Sequence, residues 1–189
     1  MRRIFTDKIA EICVYPRPIK KEPTMNEFHY TPNLLQRSVQ RLAMLRSSAW
    51  LLSHTLHHLD PPVYRLTGGS ATLTSVLSGL PIITLVTTGA KSGQPRAVPL
   101  IAIPHANDLY VIASNWGGKS HPAWYYNLRA NPECTVEMNG RTLPHTAQEI
   151  SGETKATVWQ TAVRLYPGYA AYQKRAPRDI PVFKLLADS

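Results

Sequence analysis

Residues 82–103 read IITLVTTGAKSGQPRAVPLIAI. Two short runs rich in Ile, Leu, Val and Thr, 82–88 and 97–103, flank a turn containing Gly89 and Gly93, the pattern of two strands joined by a tight connection. Further short strands are predicted over 109–114, 134–138, 142–150 and 180–185. Two helices interrupt them, one over 123–130 ended by Asn131-Pro132 and one over 153–165 capped by Ser151. Strands spaced this closely suit an antiparallel barrel, and without an alternating βαβ series a doubly wound nucleotide fold is not expected. The fold class expected for residues 67–189 is therefore mainly β with flanking helices (α+β).

Upstream the composition changes. Prolines at 16, 18, 23 and 32 and the pair Lys20-Lys21 oppose regular structure, so residues 1–31 are read as a flexible tail, with Met25 as an alternative start of translation. Over 33–59 Leu34, Leu35, Val39, Leu42, Leu45, Trp50, Leu52 and Leu56 recur at helical spacing, with Arg37, Arg41 and Arg46 between them and Asn33 placed to cap. Residues 32–66 thus form an amphipathic helical extension, halted by Asp60-Pro61-Pro62. Such a basic helix either packs on the domain, lies on a membrane surface as a peripheral attachment, or joins a dimer.

Composition narrows the function. No apolar run approaches the ~18 residues of a spanning helix, and Asp7, Lys8 and Glu11 interrupt what a cleaved signal would keep apolar. Cys13 and Cys134 form neither a CxxC pair nor a disulfide framework, so a reducing cytoplasm is expected. The net charge of +9 favours anionic partners. It is spread almost evenly between residues 1–66 and 67–189, and no nucleic-acid module accompanies it, so no nucleic-acid partner is expected.

Three segments carry chemistry. In 87–96, Gly89 and Gly93 allow exposed backbone N–H groups while Lys91, Ser92 and Arg96 add donors, a combination that holds a phosphate or carboxylate. The GxxxxGK[ST] pattern is absent, and a plain basic hairpin is the competing reading. In 112–128, a strand ending at Ser114 leads through Gly117-Gly118 to a helix bearing Trp124 and Tyr125, which stack on a flat ring or close the core. Tyr166, Tyr169 and Tyr172, three apart, lie along one side of a helix, where their phenols line a cavity as hydrogen-bond or proton donors or pack as an aromatic stripe. His54, His57 and His58 share a helix face but lack HExxH or an acidic ligand, so no metal site is expected.

Taken in order, TTGAKSGQPRAVPL (87–100), IASNWGGKSHPAWYYNLRANP (112–132) and RLYPGYAAYQKRAPRDIPVFKL (164–185) resemble the deazaflavin-dependent nitroreductase family of F420-dependent quinone reductases. The resemblance covers residues 68–185. It implies a split β-barrel of the FMN-binding-reductase type, and an oxidoreductase that passes hydride from reduced deazaflavin coenzyme F420 to a quinone, nitro-compound or activated alkene. An FMN-binding reductase or a non-catalytic F420 carrier are the alternatives. By resemblance Lys91, Ser92 and Arg96 hold the coenzyme's phosphate, and Val98, Pro99 and Leu100 line its groove. Ile112, Ala113, Ser114, Asn115, Ala123, Trp124, Tyr125 and Asn127 surround the ring. Tyr169, with Tyr166 and Tyr172, faces the acceptor, and Ser114 also bonds the acceptor's oxygens. A homodimer is expected by analogy. Two departures stand out: Ala90 replaces the family's usual arginine, and the loop 115–118 is one residue longer than in the nitroreductases.

Overall fold

The computed structural model describes residues 79–138 and 140–188, with Asn33, Gln36 and Ser38. The expected tail over 1–31, nearly all of the helical extension, the histidine trio and Cys13 lie outside the described residues. At the start of the extension, Asn33 Oδ1 accepts from the Gln36 N–H at 2.8 Å while Gln36 Oε1 accepts from the Asn33 N–H at 3.0 Å. This reciprocal capping box matches the expected role of Asn33.

Among the described residues, seven strands form one sheet: β1 (Ile82–Thr88), β2 (Pro95–Ile101), β3 (Ile103–His105), β4 (Asp108–Ile112), β5 (Glu133–Met138), β6 (Arg141–Ile150) and β7 (Val182–Ala187). Helix α1 (Ala123–Ala130) lies between β4 and β5, and α2 (Gly152–Leu165) and α3 (Gly168–Arg175) lie between β6 and β7. The strand order is β2-β1-β5-β6-β7-β4-β3, with every neighbouring pair antiparallel.

The two ends of that order, β2 and β3, are separated in sequence by Ala102 alone. Two peptide steps span at most ~7 Å, so the ends of the sheet must meet and the sheet curls into a split barrel. Residues 97–103, expected as one strand, are therefore two ladder segments: Pro95–Ile101 pairs with β1, and Ile103–His105 pairs with β4. Side-chain alternation runs unbroken through the switch. Val98, Leu100 and Ala102 face the inner core, and Ile101 and Ile103 face the outer one.

Prolines sit where ladder donors are dispensable. Pro95 and Pro99 lie on β2 and Pro104 on β3, the two terminal strands, and Pro144 lies where β6 runs past the end of β7. Pro181, with no N–H to give, delays β7 to Val182, whereas the sequence suggests 180; its carbonyl instead accepts from the Ala113 N–H. The strand expected over 109–114 ends at Ile112, because Pro181 accepts from the Ala113 N–H but has no N–H to return, and the Ser114 N–H turns back to Ile112 O. Ser151 occupies the N-cap of α2, but its hydroxyl makes no capping bond.

The sheet has two apolar faces. Leu85, Val111, Val136, Phe183 and Leu185 fill the barrel, closed by Trp124, Tyr125 and Leu128 of α1. Tyr110, Ile112 and Val182 point the other way, against Val158 and Ala162 of α2 and Tyr169 and Tyr172 of α3. Full burial of a side chain such as Phe183 is worth ~1.5–3 kcal/mol, so both helical covers are held by ordinary apolar burial.

Candidate active site

The turn between β1 and β2 is closed by Gly89 N–H donating to Gln94 O at 2.9 Å and Gly93 N–H donating to Gly89 O at 2.8 Å, with Gly93 at φ 66°. Lys91, Ser92, Gln94 and Arg96 are exposed. Ser92 Oγ accepts from the Gln94 N–H and, at 3.5 Å, from Arg96 Nη2. Among the described residues, the backbone N–H groups of Lys91 and Ser92 have no protein acceptor. Two cations, a hydroxyl and two unpaired N–H groups on one exposed turn suit a multiply charged oxyanion.

Helix α1 holds this turn. Asn127, buried on α1, accepts from the Ala90 N–H at 2.9 Å through Oδ1 and donates to Thr87 Oγ1 at 3.0 Å through Nδ2. Its amide thus shapes the turn. On the same helix Tyr125 stacks on His121, ring centroids 4.2 Å apart, and its hydroxyl accepts from Arg129 at 3.0 Å. Tyr126, half exposed, meets His121 edge-on.

His121 leads to the second loop. Residues 115–117 form a left-handed turn, with φ of 47° at Asn115, 56° at Trp116 and 77° at Gly117. For Trp116 this costs ~1–2 kcal/mol, and less for Asn115, which tolerates the left-handed region, so surrounding contacts must impose it at Trp116. A Cβ at Gly117 would lie 2.9 Å from the Tyr172 carbonyl oxygen, so the turn is pressed against α3. Trp116 meets Tyr172 edge-on at 6.0 Å.

Polar restraint comes from bonds within the loop, Gly117 N–H to Ser114 O, Gly118 N–H to Asn115 O and Asn115 Nδ2 to Ser120 O, and from Arg178. Its guanidinium donates to the carbonyls of Ala113 (3.2 Å), Ser114 (3.1 Å), Gly118 (3.3 Å) and Asp179 (3.1 Å), and Nη1 lies 2.8 Å from His121 Nδ1. Arginine cannot accept, so His121 must present a bare Nδ1. Burial and the adjacent Arg178 charge both lower the His121 pKa, favouring that neutral form. The Ser114 hydroxyl has no protein partner among the described residues.

The three tyrosines come together, though not along one helix. Tyr166 ends α2, Pro167 breaks the chain, and Tyr169 and Tyr172 lie on α3. The Tyr166 and Tyr172 hydroxyls are 3.0 Å apart, and Tyr169 packs edge-on against both rings and tilted against Trp159. All three are buried in the outer core, and burial raises each phenol's pKa. They stay protonated across the neutral range, able to donate a hydrogen bond and unsuited to act as bases.

The remaining sequence-derived positions divide between surface and core. Val98 and Leu100 rest half-buried on the inner core and Pro99 is half-buried beside them. Ile112, Ala113, Trp124 and Tyr125 are core residues, whereas Ala123 is exposed and Asn115 half-buried. Sequence reading gave no role to Arg178 or His121. Both lie inside the quoted motifs, and their only sequence signal was a basic side chain beside a proline. Among the described residues, no group of three or more His, Cys, Asp or Glu could hold a metal, and no helix is long and apolar enough to cross a membrane.

A curled antiparallel barrel bearing a cationic turn and a clamped aromatic loop on one shared helix defines the class: a split-barrel protein. The chain belongs to the F420H(2)-dependent quinone reductase family, whose family model matches residues 59–187, and is thereby an oxidoreductase. It is 32% identical over 144 residues to an F420H(2)-dependent quinone reductase of Mycobacterium tuberculosis strain H37Rv, covering 73% of this chain and 96% of that protein. Among solved structures it is similar to an F420-H2 dependent reductase (43% identity, TM-score 0.52, 56% of this chain and 93% of that one). It is also similar to a protein described as a domain-swapped dimer (36% identity, TM-score 0.54, 74% and 98%).

Proposed function

We propose that the protein binds reduced coenzyme F420 beside the barrel and transfers hydride from it to a small organic acceptor, a quinone, nitro-compound or activated alkene. The observation that carries this reading is the convergence of the three motifs: α1 holds the cationic turn through Asn127 and the aromatic loop through Tyr125 and His121, while Arg178 joins that loop to the third motif. The turn fits the coenzyme's phosphate, because Lys91, Ser92 and Arg96 are exposed and the Lys91 and Ser92 N–H groups have no protein acceptor among the described residues. When bound, the coenzyme supplies a two-electron hydride donor, and the protein's part is orientation and proton supply.

In this reading Lys91, Ser92 and Arg96 hold the phosphate, Val98, Pro99 and Leu100 offer half-buried apolar surface, and residues 112–115 with α1 border the ring. Ser114 directs its free hydroxyl at acceptor oxygens. Tyr169 donates a hydrogen bond or proton as negative charge grows there, supported by Tyr166 and Tyr172. A homodimer is the assembly we expect, on the strength of the domain-swapped relative; a monomeric mass by light scattering overturns that part.

The test is a fluorescence titration with oxidised F420 beside one with FMN, then turnover of the reduced coenzyme with menadione, a nitroaromatic and an activated alkene. Saturable F420 binding with turnover is expected. Binding of FMN alone overturns the coenzyme, and F420 binding without turnover of any acceptor makes the protein a carrier.

A further inference from the structure

We infer that Arg178 is the positioning residue of the site: its guanidinium sets the left-handed turn at 115–117, and with it the Ser114 hydroxyl, through a clamp that closes only on neutral His121. Five contacts of one side chain support this. Three of them go to the carbonyls of Ala113, Ser114 and Gly118, which bracket the strained residues on both sides. Asn115 tolerates positive φ and bonds Ser120 O through its own amide, but Trp116 has no local preference for it, so the turn depends on what brackets it. The fork of a guanidinium suits several carbonyls at once, which a lysine ammonium on one stem does not.

The fifth contact makes the clamp conditional. Arg178 Nη1 lies 2.8 Å from His121 Nδ1, and a doubly protonated imidazole would set N–H against N–H and charge against charge. The groups facing His121 are Arg178 and Asp179 from the segment before β7, Tyr125 and Tyr126 from α1, and Glu149 from β6. The two carboxylates favour the charged ring, while burial and Arg178 oppose it and prevail. On acidification His121 charges, Arg178 is released, and the turn relaxes. The consequence for turnover rests on the reductase reading above; the clamp itself does not.

The test follows the Trp116 indole N–H resonance, assigned with Trp116→Phe, and the His121 Hε1 resonance in the coenzyme-free full chain between about pH 5 and 8. In the wild type both are expected to titrate with one midpoint below 6.5, the ordinary histidine value. Arg178→Ala is expected to shift the Trp116 resonance at neutral pH and abolish its pH dependence, with Arg178→Lys restoring it in part. His121→Gln, which keeps an acceptor that cannot titrate, is expected to hold the neutral-pH position throughout. In turnover, Arg178→Ala should lower kcat/KM for the acceptor about 10-fold or more. A Trp116 resonance that stays flat while His121 titrates, or that is unmoved in folded Arg178→Ala, overturns the inference. Should Arg178→Ala not fold, the wild-type titration decides. Failure of F420 binding would overturn the proposed function and leave these resonances readable.

Discussion

Asn127 on α1 and Thr87 at the end of β1 are joined by a buried hydrogen bond of 3.0 Å, and the same Asn127 amide accepts from Ala90 N–H on the cationic turn. One side chain therefore sets where the turn stands relative to the helix. Asn127→Ala would orphan the fully buried Thr87 hydroxyl on this side and cost ~1–3 kcal/mol, read as a lower denaturation midpoint. Coenzyme affinity should fall with it. Asn127→Asp should weaken coenzyme binding further, because its charge faces an anion; equal affinity for the two variants would place the phosphate elsewhere.

Lys91 and Arg96 are the exposed cations of the turn. If each contributes a charge-assisted contact, Lys91→Ala with Arg96→Ala should weaken F420 binding by ~2–4 kcal/mol. Added salt should weaken the wild type more than the double variant. Unchanged affinity in the folded double variant would remove the turn from the site.

Tyr169→Phe deletes a hydroxyl that has no protein partner among the described residues, so the fold should survive with little loss. Steady-state kinetics are expected to show lower kcat at nearly constant coenzyme affinity, the mark of a group acting in the transition state. Full activity would return Tyr169 to packing.

Because burial raises the Tyr166, Tyr169 and Tyr172 pKa values, the folded state holds these protons more tightly than the unfolded chain. Their contribution to stability is complete below the ordinary phenol value of 10 and is lost progressively as pH rises from there through their raised folded values. Near-ultraviolet phenolate absorbance in an alkaline titration should show these tyrosines ionising only with unfolding. Ionisation of all nine tyrosines before the melt would contradict their burial.

Cys134 is buried at the β1–β5–β6 junction, and its thiol is pushed up to about 12, chiefly by burial. In a chain carrying Cys13→Ser it should resist alkylation at pH 8 until denaturant is added. Rapid labelling of the native variant would mean that β5 opens locally.

Much of the fold was legible because the deciding patterns are local. Short β-branched runs, Pro and Gly boundaries and the helix over 123–130 each follow from a few adjacent residues, and the strand boundaries missed by one or two places, as at Ile112 and Val182. Three motifs in order carried the family and the candidate turn, since Lys91, Ser92 and Arg96 are neighbours in the chain and need no folding to be recognised as a group.

What the tertiary structure alone decided is where separated segments meet. Residues 97–103 read as one strand, yet barrel closure divides them between β1 and β4, because pairing partners come from elsewhere in the chain. Asn127 read as a ring contact spends its amide on Thr87 and Ala90. Tyr166 read as helical stands beyond the end of α2, although its hydroxyl still reaches Tyr172. Arg178 had no role until folding set it, across more than sixty residues of chain, against the carbonyls of 113 and 114. A sequence displays side chains, but the backbone carbonyls that an arginine gathers carry no sequence signature, so the clamp exists only in three dimensions.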